Sequence, residues 1–444
     1  MFCKFPTMQG RKQSISASRS MARTWLAAGL LMCSTTQAIA QANHNTNLEA
    51  DVDWSDFSEM VRDLPDVLLD SLPERQRNDP DIQDGVKRVA LSAVASAAID
   101  ALASDPDHPV FIPQVNQFLN VGQPNSDTTY RLARITPGGS YRLRGRKGNV
   151  RMAIIAETGL LPGNASQSSD EPGAPQPIHD INALGVDEDG RFDVLLSAER
   201  PDGYNGDWWQ LQPGTDRLLL RLVSADWERE VDPALSIERL DAPVRRPASM
   251  LVDMKTALSN LINVTNFLAP VYLHKVESLR EAGYINRLRK MPESTLGLPG
   301  QVYYEGAYEL DGEEALIIEA KHPARCEYRS IIVTNDVFET SDWFNNQGSL
   351  NDAQAAVDRD GILRIVLAGK DPGVPNWLDT AGYRTGSIQG RWANCDTQPI
   401  PTVRKVPFAD IRKHLPSDTP TVTKEQRETI VRDRRAGSQQ RPLW

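Results

Sequence analysis

Two stretches of this chain, about 110–240 and 300–408, consist of short strand-like runs divided by turn chemistry, and this pattern limits the fold more than any other feature. In the first, TYRLARI, SYRLRG, VRMAII, RFDVLLS, DRLLLRLV and ALSIERL alternate or run apolar, with PGGS, RKGN, DEDG, PDGYNG and PGTD among the segments between them. The second has QVYYEGAYEL, EALIIEA, YRSIIVT, ILRIVLA and GSIQGRW. Gly, Asn and Asp supply the backbone conformations that close hairpins, so the spacing predicts antiparallel sandwiches rather than βαβ units. At 444 residues the chain has room for two or three cores. No internal repeat stands out, although both regions use D-x-D-G turns.

Helical periodicity precedes and separates these regions. Trp54, Phe57, Met60, Val61 and Leu64 recur three and four apart, and KRVALSAVASAAIDAL (87–102) is long and Ala-rich. Pro65 is expected to interrupt the first piece, and the DPDHP run (105–109) to stop the last. Residues 249–290 read as two amphipathic helices, with Pro270 near the start of the second. The charged segment after Pro420 reads as a frayed terminal helix. The expected class is mainly β with helical segments, an α+β, multi-domain chain. It has two antiparallel β-sandwich or jelly-roll-like regions, an intervening helical pair and an N-terminal helical module. The expected boundaries are 1–40 for a signal peptide, 41–108 for the helical module and 109–245 for the first β region. The helical segment follows at 246–298, the second β region at 299–416 and a charged tail at 417–444. LLPGNASQSSDEPGAPQP (160–177) reads as a long loop.

Residues 1–40 carry Lys4, Arg11, Lys12, Arg19 and Arg23 with no acid, then an apolar TWLAAGLLM run and a terminal Ala38-Ile39-Ala40. These are the parts of a secretory signal cleaved near Ala40, with Met1 or Met21 as the start. The expectation is an exported protein, periplasmic or secreted. Loss of the five leader cations takes the net charge from −10 to −15, which gives a nucleic-acid partner no general electrostatic support. No other apolar segment reaches 18 residues, so no transmembrane segment is expected in the mature chain. Of four cysteines, Cys3 and Cys33 fall in the leader, leaving Cys326 and Cys395. In an oxidising compartment these have one possible pairing, and a disulfide is predicted; the alternative is two unpaired buried thiols.

QPNSDTTYRLARITPGGSYRLRGRKG (123–148) and SLNDAQAAVDRDGILRIVLAGKDPGVPNWLDTAGYRTGSIQGRW (349–392) resemble the bacterial domain-of-unknown-function 1214 family, which is often paired with the 1254 domain. VFETSDWFNNQGSLN (337–351) fits the same block, so the resemblance covers roughly 110–415. It implies two β-sandwich or jelly-roll-like regions with helices between them, and it assigns no activity.

Standard catalytic signatures are missing: there is no G-x-S-x-G elbow, H-E-x-x-H, P-loop, or G-x-G-x-x-G after a strand. The six histidines are not paired at metal-binding spacings, and no metal or cofactor is expected. His179, beside Asp180, reads as a solvated loop histidine. Asp187–Gly190 and Asp358–Gly361 look like calcium loops but lack the continuation, so they read as hairpin turns.

The DPGVPNWLDTAGY loop (371–383) admits two readings. It is either a binding wall, with Trp377 as a stacking face and Asn376 and Asp379 as polar groups, or an Ω-like loop whose polar groups cap its own backbone while Trp377 plugs the sandwich end. Together with clusters at Asp127–Tyr130 and Asn351–Asp352, it suggests a cleft. Asp127, Asp352 and Asp379 are the candidate catalytic carboxylates; Tyr130, Asn351, Asn376, Trp377, Tyr383 and Arg391 are the candidate ligand-binding groups. The expected function is binding of a small-molecule or saccharide ligand in a cleft between the β regions, with a metal-independent hydrolase or lyase as its catalytic form. The alternative is a non-enzymatic ligand-binding or envelope-associated structural protein.

Overall fold

The computed structural model describes residues 52–103, 105–157, 177–246, 254–291 and 300–442. The signal-peptide region, nearly all of the 160–177 loop and most of 290–300 lie outside these residues. Three helices come first among the described residues: α1 (Trp54–Ser71), α2 (Glu74–Arg77) and α3 (Pro80–Ala103). Asp53 caps α1 through a capping box with Asp56. Contrary to expectation, α1 runs through Pro65. The proline removes one backbone donor, while Leu64, Leu68 and Leu72 still bury a continuous stripe against Val86, Val89 and Ala93 of α3.

The first β region contains β1 (Ile112–Pro113), β2 (Thr128–Arg134), β3 (Tyr141–Arg146), β4 (Met152–Ala156), β5 (Ile178–Asp180), β6 (Arg191–Ser197), β7 (Asp207–Gln210), β8 (Arg217–Val223) and β9 (Ala234–Arg239). They form a five-stranded sheet in the order β1-β2-β8-β4-β5 and a four-stranded sheet in the order β7-β6-β3-β9. Helices α4 (Met254–Leu268) and α5 (Lys275–Glu281) follow. The second of these is shorter than the sequence suggested. Gly283, at φ +80°, ends it, and the Tyr284 amide bonds back to the Leu279 carbonyl, the six-to-one closure of a Schellman motif.

The second β region contains β10 (Arg289–Lys290), β11 (Gln301–Glu309), β12 (Glu314–Lys321), β13 (Tyr328–Val333), β14 (Ser349–Asn351), β15 (Ile362–Ala368), β16 (Trp377–Asp379), β17 (Thr385–Ala393) and β18 (Thr402–Pro407). Its sheets run β10-β11-β17-β13-β14 and β16-β15-β12-β18. Adding nine to each strand number of the first region reproduces this order strand for strand. The chain therefore contains a tandem topological repeat that the sequence reading did not detect. The D-x-D-G turns occupy the same place in each repeat, before β6 and before β15, with Gly190 and Gly361 at φ +75° and +78°. The sheets are not wholly antiparallel: β7 pairs parallel with β6, and β16 with β15.

Each repeat is a sandwich with its own core. In the first, Leu218, Leu220 and Leu222 of β8 meet Leu143, Val194 and Leu196. In the second, Ile388 and Trp392 of β17 meet Leu316, Ile318 and Leu367. Residues 53–444 form one compact unit. β8 is buried along its whole length because the face opposite the core is covered as well, by the other repeat at Val223 and beside α3 and α4 at Arg217. Met152, Ile154, Val223 and Ala225 pack there with Tyr328 and Ala393. Cys326 and Cys395 are joined by a disulfide inside the second repeat.

The terminal segment is not frayed. Thr423 and Gln426 form a capping box for α6 (Lys424–Gln440), and Arg427 and Arg434 are buried. With Arg441 they recur every seven residues on one stripe. Arg427 bonds Gln347 and Asp371, whereas Arg434 bonds Ser349 and Gln354 and lies 4.8 Å from the Trp227 ring centre. Arg441 reaches Thr129 and the Leu222 carbonyl. The helix thus ties the second repeat to the first. Among the described residues, no helix is long and apolar enough to cross a membrane.

Candidate functional site

The outward faces of the two five-stranded sheets carry the unusual chemistry. On β8, Arg221 stands opposite Tyr130 of β2, and on β17, Arg391 stands opposite Tyr303 of β11. Strand register makes these pairs topological equivalents, and both line one half-open cavity of about 140 Å³. Tyr272, Tyr328, Phe338 and Met291 add aromatic and apolar wall, while Asn125, Gln123, Gln301 and Gln389 add amides. Lys275 is the third cation, and no Asp or Glu is among the described lining residues.

The two arginines differ electrostatically. Burial lowers the pKa of Arg221, with Tyr130 and Tyr303 opposing the shift. Burial also disfavours the charge on Arg391, but Tyr303, Tyr328, Tyr130 and Asp127 together hold its pKa above the usual arginine value. The Arg391 guanidinium lies 5.1 Å from the Tyr303 ring centre. Its one hydrogen bond among the described residues goes from Nη2 to Gln389 at 3.2 Å, and its buried Nε has no partner. The Lys275 charge is met by Glu305 at 2.7 Å, a carboxylate that Arg289 also contacts at 2.8 Å. At the rim, Gln123 is held at φ +60°, an uncommon backbone region for a side-chain-bearing residue, and its buried Nε2 is unpartnered.

Asp127 lies behind the cavity wall, 1% exposed. It accepts hydrogen bonds from Tyr328 Oη at 2.6 Å, Asn351 Nδ2 at 2.9 Å and Trp227 Nε1 at 3.0 Å. Burial pushes its pKa up, against the pull of the hydrogen bonds from Tyr328 and Asn351. Asn125 donates to the same Tyr328 hydroxyl at 3.0 Å. The NSDTTY motif therefore joins the repeats and fixes Tyr328 in the wall, with the carboxylate fully engaged away from the cavity.

The expected convergence of three carboxylates is corrected: none of them lines the central cavity. Asp352 lies in the turn after β14 and pairs with Arg151 at 2.9 Å. Asp379 accepts the Ala381 amide at 2.8 Å, and burial raises its pKa to about 6. The 371–383 loop follows its structural reading. Asn376 clamps Ala356 and the Arg364 carbonyl, and Trp377 is a plug that donates to the Ala368 carbonyl at 2.9 Å beneath Arg427. Tyr383 lies elsewhere, accepting from Arg88 at 3.3 Å. Of the proposed ligand groups, Tyr130 and Arg391 reach the cavity; Asn351 supports it through Asp127. His179 is not a solvated loop residue but sits on β5, bonded to buried Glu157 at 2.9 Å and stacked on Trp209.

Sequence reasoning missed Arg221, Tyr303, Tyr328, Gln123 and Lys275. The available signal was a charge inside an apolar strand, as in LLLRLV. A larger hollow of about 310 Å³ lies beneath α6, beside Trp227 and Arg434. Its arginine uses both terminal nitrogens on Gln354 and Ser349 and keeps only Nε unpartnered, whereas in the central cavity both Arg391 Nε and Gln123 Nε2 lack partners.

No family model matches the chain, and no curated protein matches it. Among solved structures, an uncharacterized protein from Burkholderia cenocepacia is similar over 80% of this chain and 97% of its own, at 26% identity and a TM-score of 0.69. The VPA0106 protein from Vibrio parahaemolyticus aligns over 72% and 99% at 13% identity, with a TM-score of 0.41.

Proposed function

We propose that this is an exported ligand-binding protein that takes a small polar molecule into the cavity between its two β repeats. The observation that carries the reading is the meeting of two equivalent Tyr–Arg pairs at one partly open, aromatic-walled space. Such a wall offers ring faces for stacking and a few fixed donors for orientation, the usual composition of a small-molecule site. Hydrolysis by a pair of carboxylates would call for two Asp or Glu facing the cavity, and its described lining instead supplies amides, phenols, two guanidinium groups and the Lys275 ammonium. This favours the binding form over a carboxylate-pair hydrolase. The disulfide is compatible with export, and the sequence resemblance makes the domain-of-unknown-function 1214 family the proposed kinship.

The test is a thermal-shift screen of sugars, uronic acids, sterols and aromatic acids against the purified protein and Gln301→Trp, which fills the cavity. A ligand that binds the native state raises Tm by mass action. The proposal expects a saturable rise that is lost in the filled variant. A rise of equal size in both proteins would place binding elsewhere.

A further inference from the structure

Resting on that reading, we infer that the ligand is a small organic anion whose acid group is held between Arg221 and Arg391, with its flat or apolar body against the tyrosines. Three cationic side chains line the cavity and no acidic one does among the described residues. The nearby carboxylates are already committed. Glu305 serves Lys275 and Arg289, and Asp127 receives three donors behind Tyr328.

Burying a guanidinium is costly unless a counter-charge and hydrogen-bond acceptors repay the lost hydration. Arg391 is 6% exposed, is ion-paired with no carboxylate among the described residues and has a buried nitrogen without a partner. Gln123 Nε2 is a second buried donor without an acceptor on the same wall. A carboxylate supplies the missing negative charge and the missing acceptors together, and its planar geometry matches a guanidinium edge. A neutral polyol supplies acceptors but no charge. The duplication accounts for how two arginines come to face one space: each repeat places its arginine at the same register of its long central strand.

The experiment uses matched probes, glucuronate against glucose and benzoate against benzamide, in thermal-shift and calorimetric titrations of the purified protein. At least one acid is expected to stabilise it while the neutral partner does so at least tenfold more weakly. Gln389→Glu is the deciding variant. It is nearly isosteric, keeps an acceptor for Arg391 Nη2, and gives the guanidinium a built-in counter-charge that competes with the ligand's acid group. It should fold with an unchanged or higher ligand-free Tm and lose at least tenfold in affinity for the acid. Arg391→Gln should lose the acid in the same way. If glucose or benzamide binds as tightly as its acid, the anion assignment falls while the cavity reading stands. If the acid stabilises Gln389→Glu as it does wild type, the placement at Arg391 is overturned. If no acid binds, the assignment fails outright.

Discussion

The two β repeats share one topology, yet they use their equivalent positions differently. Arg221 and Arg391 occupy the same register, but burial lowers the pKa of the first, while four neighbouring groups hold that of the second above its usual value. Tyr303 and Tyr328 contribute most to that support; Asp127, a first-repeat residue whose side chain is bonded to Tyr328 and Asn351 of the second, adds the smallest share of the four. Only the second repeat carries a disulfide, and it also takes most of the α6 arginine contacts. One half is thus covalently locked and electrostatically supported. The other relies on packing and on what it shares across the joint. Duplication supplies a matched pair of cations, and divergence around them sets how each is held.

That contrast can be broken most severely at the joint. Asp127→Ala leaves three buried donors without an acceptor, and urea unfolding should show a loss of about 3–5 kcal/mol. A loss below 1 kcal/mol would mean that the carboxylate does not hold the halves together.

Replacing Cys326 and Cys395 with alanine should cost about 4 kcal/mol in the chain-entropy account, because the bridge closes a separation of 69 residues. Limited proteolysis should then cut first in the second repeat, reversing any present difference between the halves.

A pH series sharpens the comparison at the edge strand β16. Burial raises Asp379 to about 6, so between its ordinary value and about 6 the native state holds a proton that the unfolded chain releases. Stability therefore falls as pH rises through that window. Relative to Asp379→Asn, wild type should lose up to about 3 kcal/mol between pH 4 and pH 7. A constant difference across that range would contradict the burial assignment.

The smallest effect is also the test of equivalence. Gly190→Ala and Gly361→Ala alter the matched turns at φ +75° and +78°, and each should cost about 1 kcal/mol. Costs differing several-fold would show that the turns have diverged in role.

Much of this fold was legible because period-two strands and Gly/Asp turns are local signals. The repeat was not, since its topology constrains only the inward apolar positions; TTYRLAR of β2 and QVYYEGAYE of β11 satisfy it with little in common. Tyr130 and Arg391 stood out beside recognisable motifs, whereas Arg221 was hidden in a run of leucines whose second face is buried only in the assembled fold. Trp377 misled for the opposite reason: a Pro-rich polar–aromatic loop looks the same in sequence whether it lines a ligand or plugs a core. The arginines of α6 resemble a solvated charged face until their seven-residue stripe meets Trp227 and Gln347.

The most direct test of the central claim, that both repeats build one ligand site, is calorimetric titration of an acid that stabilises the wild-type protein into Arg221→Gln and Arg391→Gln separately. The account predicts at least a tenfold loss of affinity in each variant. Wild-type affinity in either folded variant would contradict a shared site.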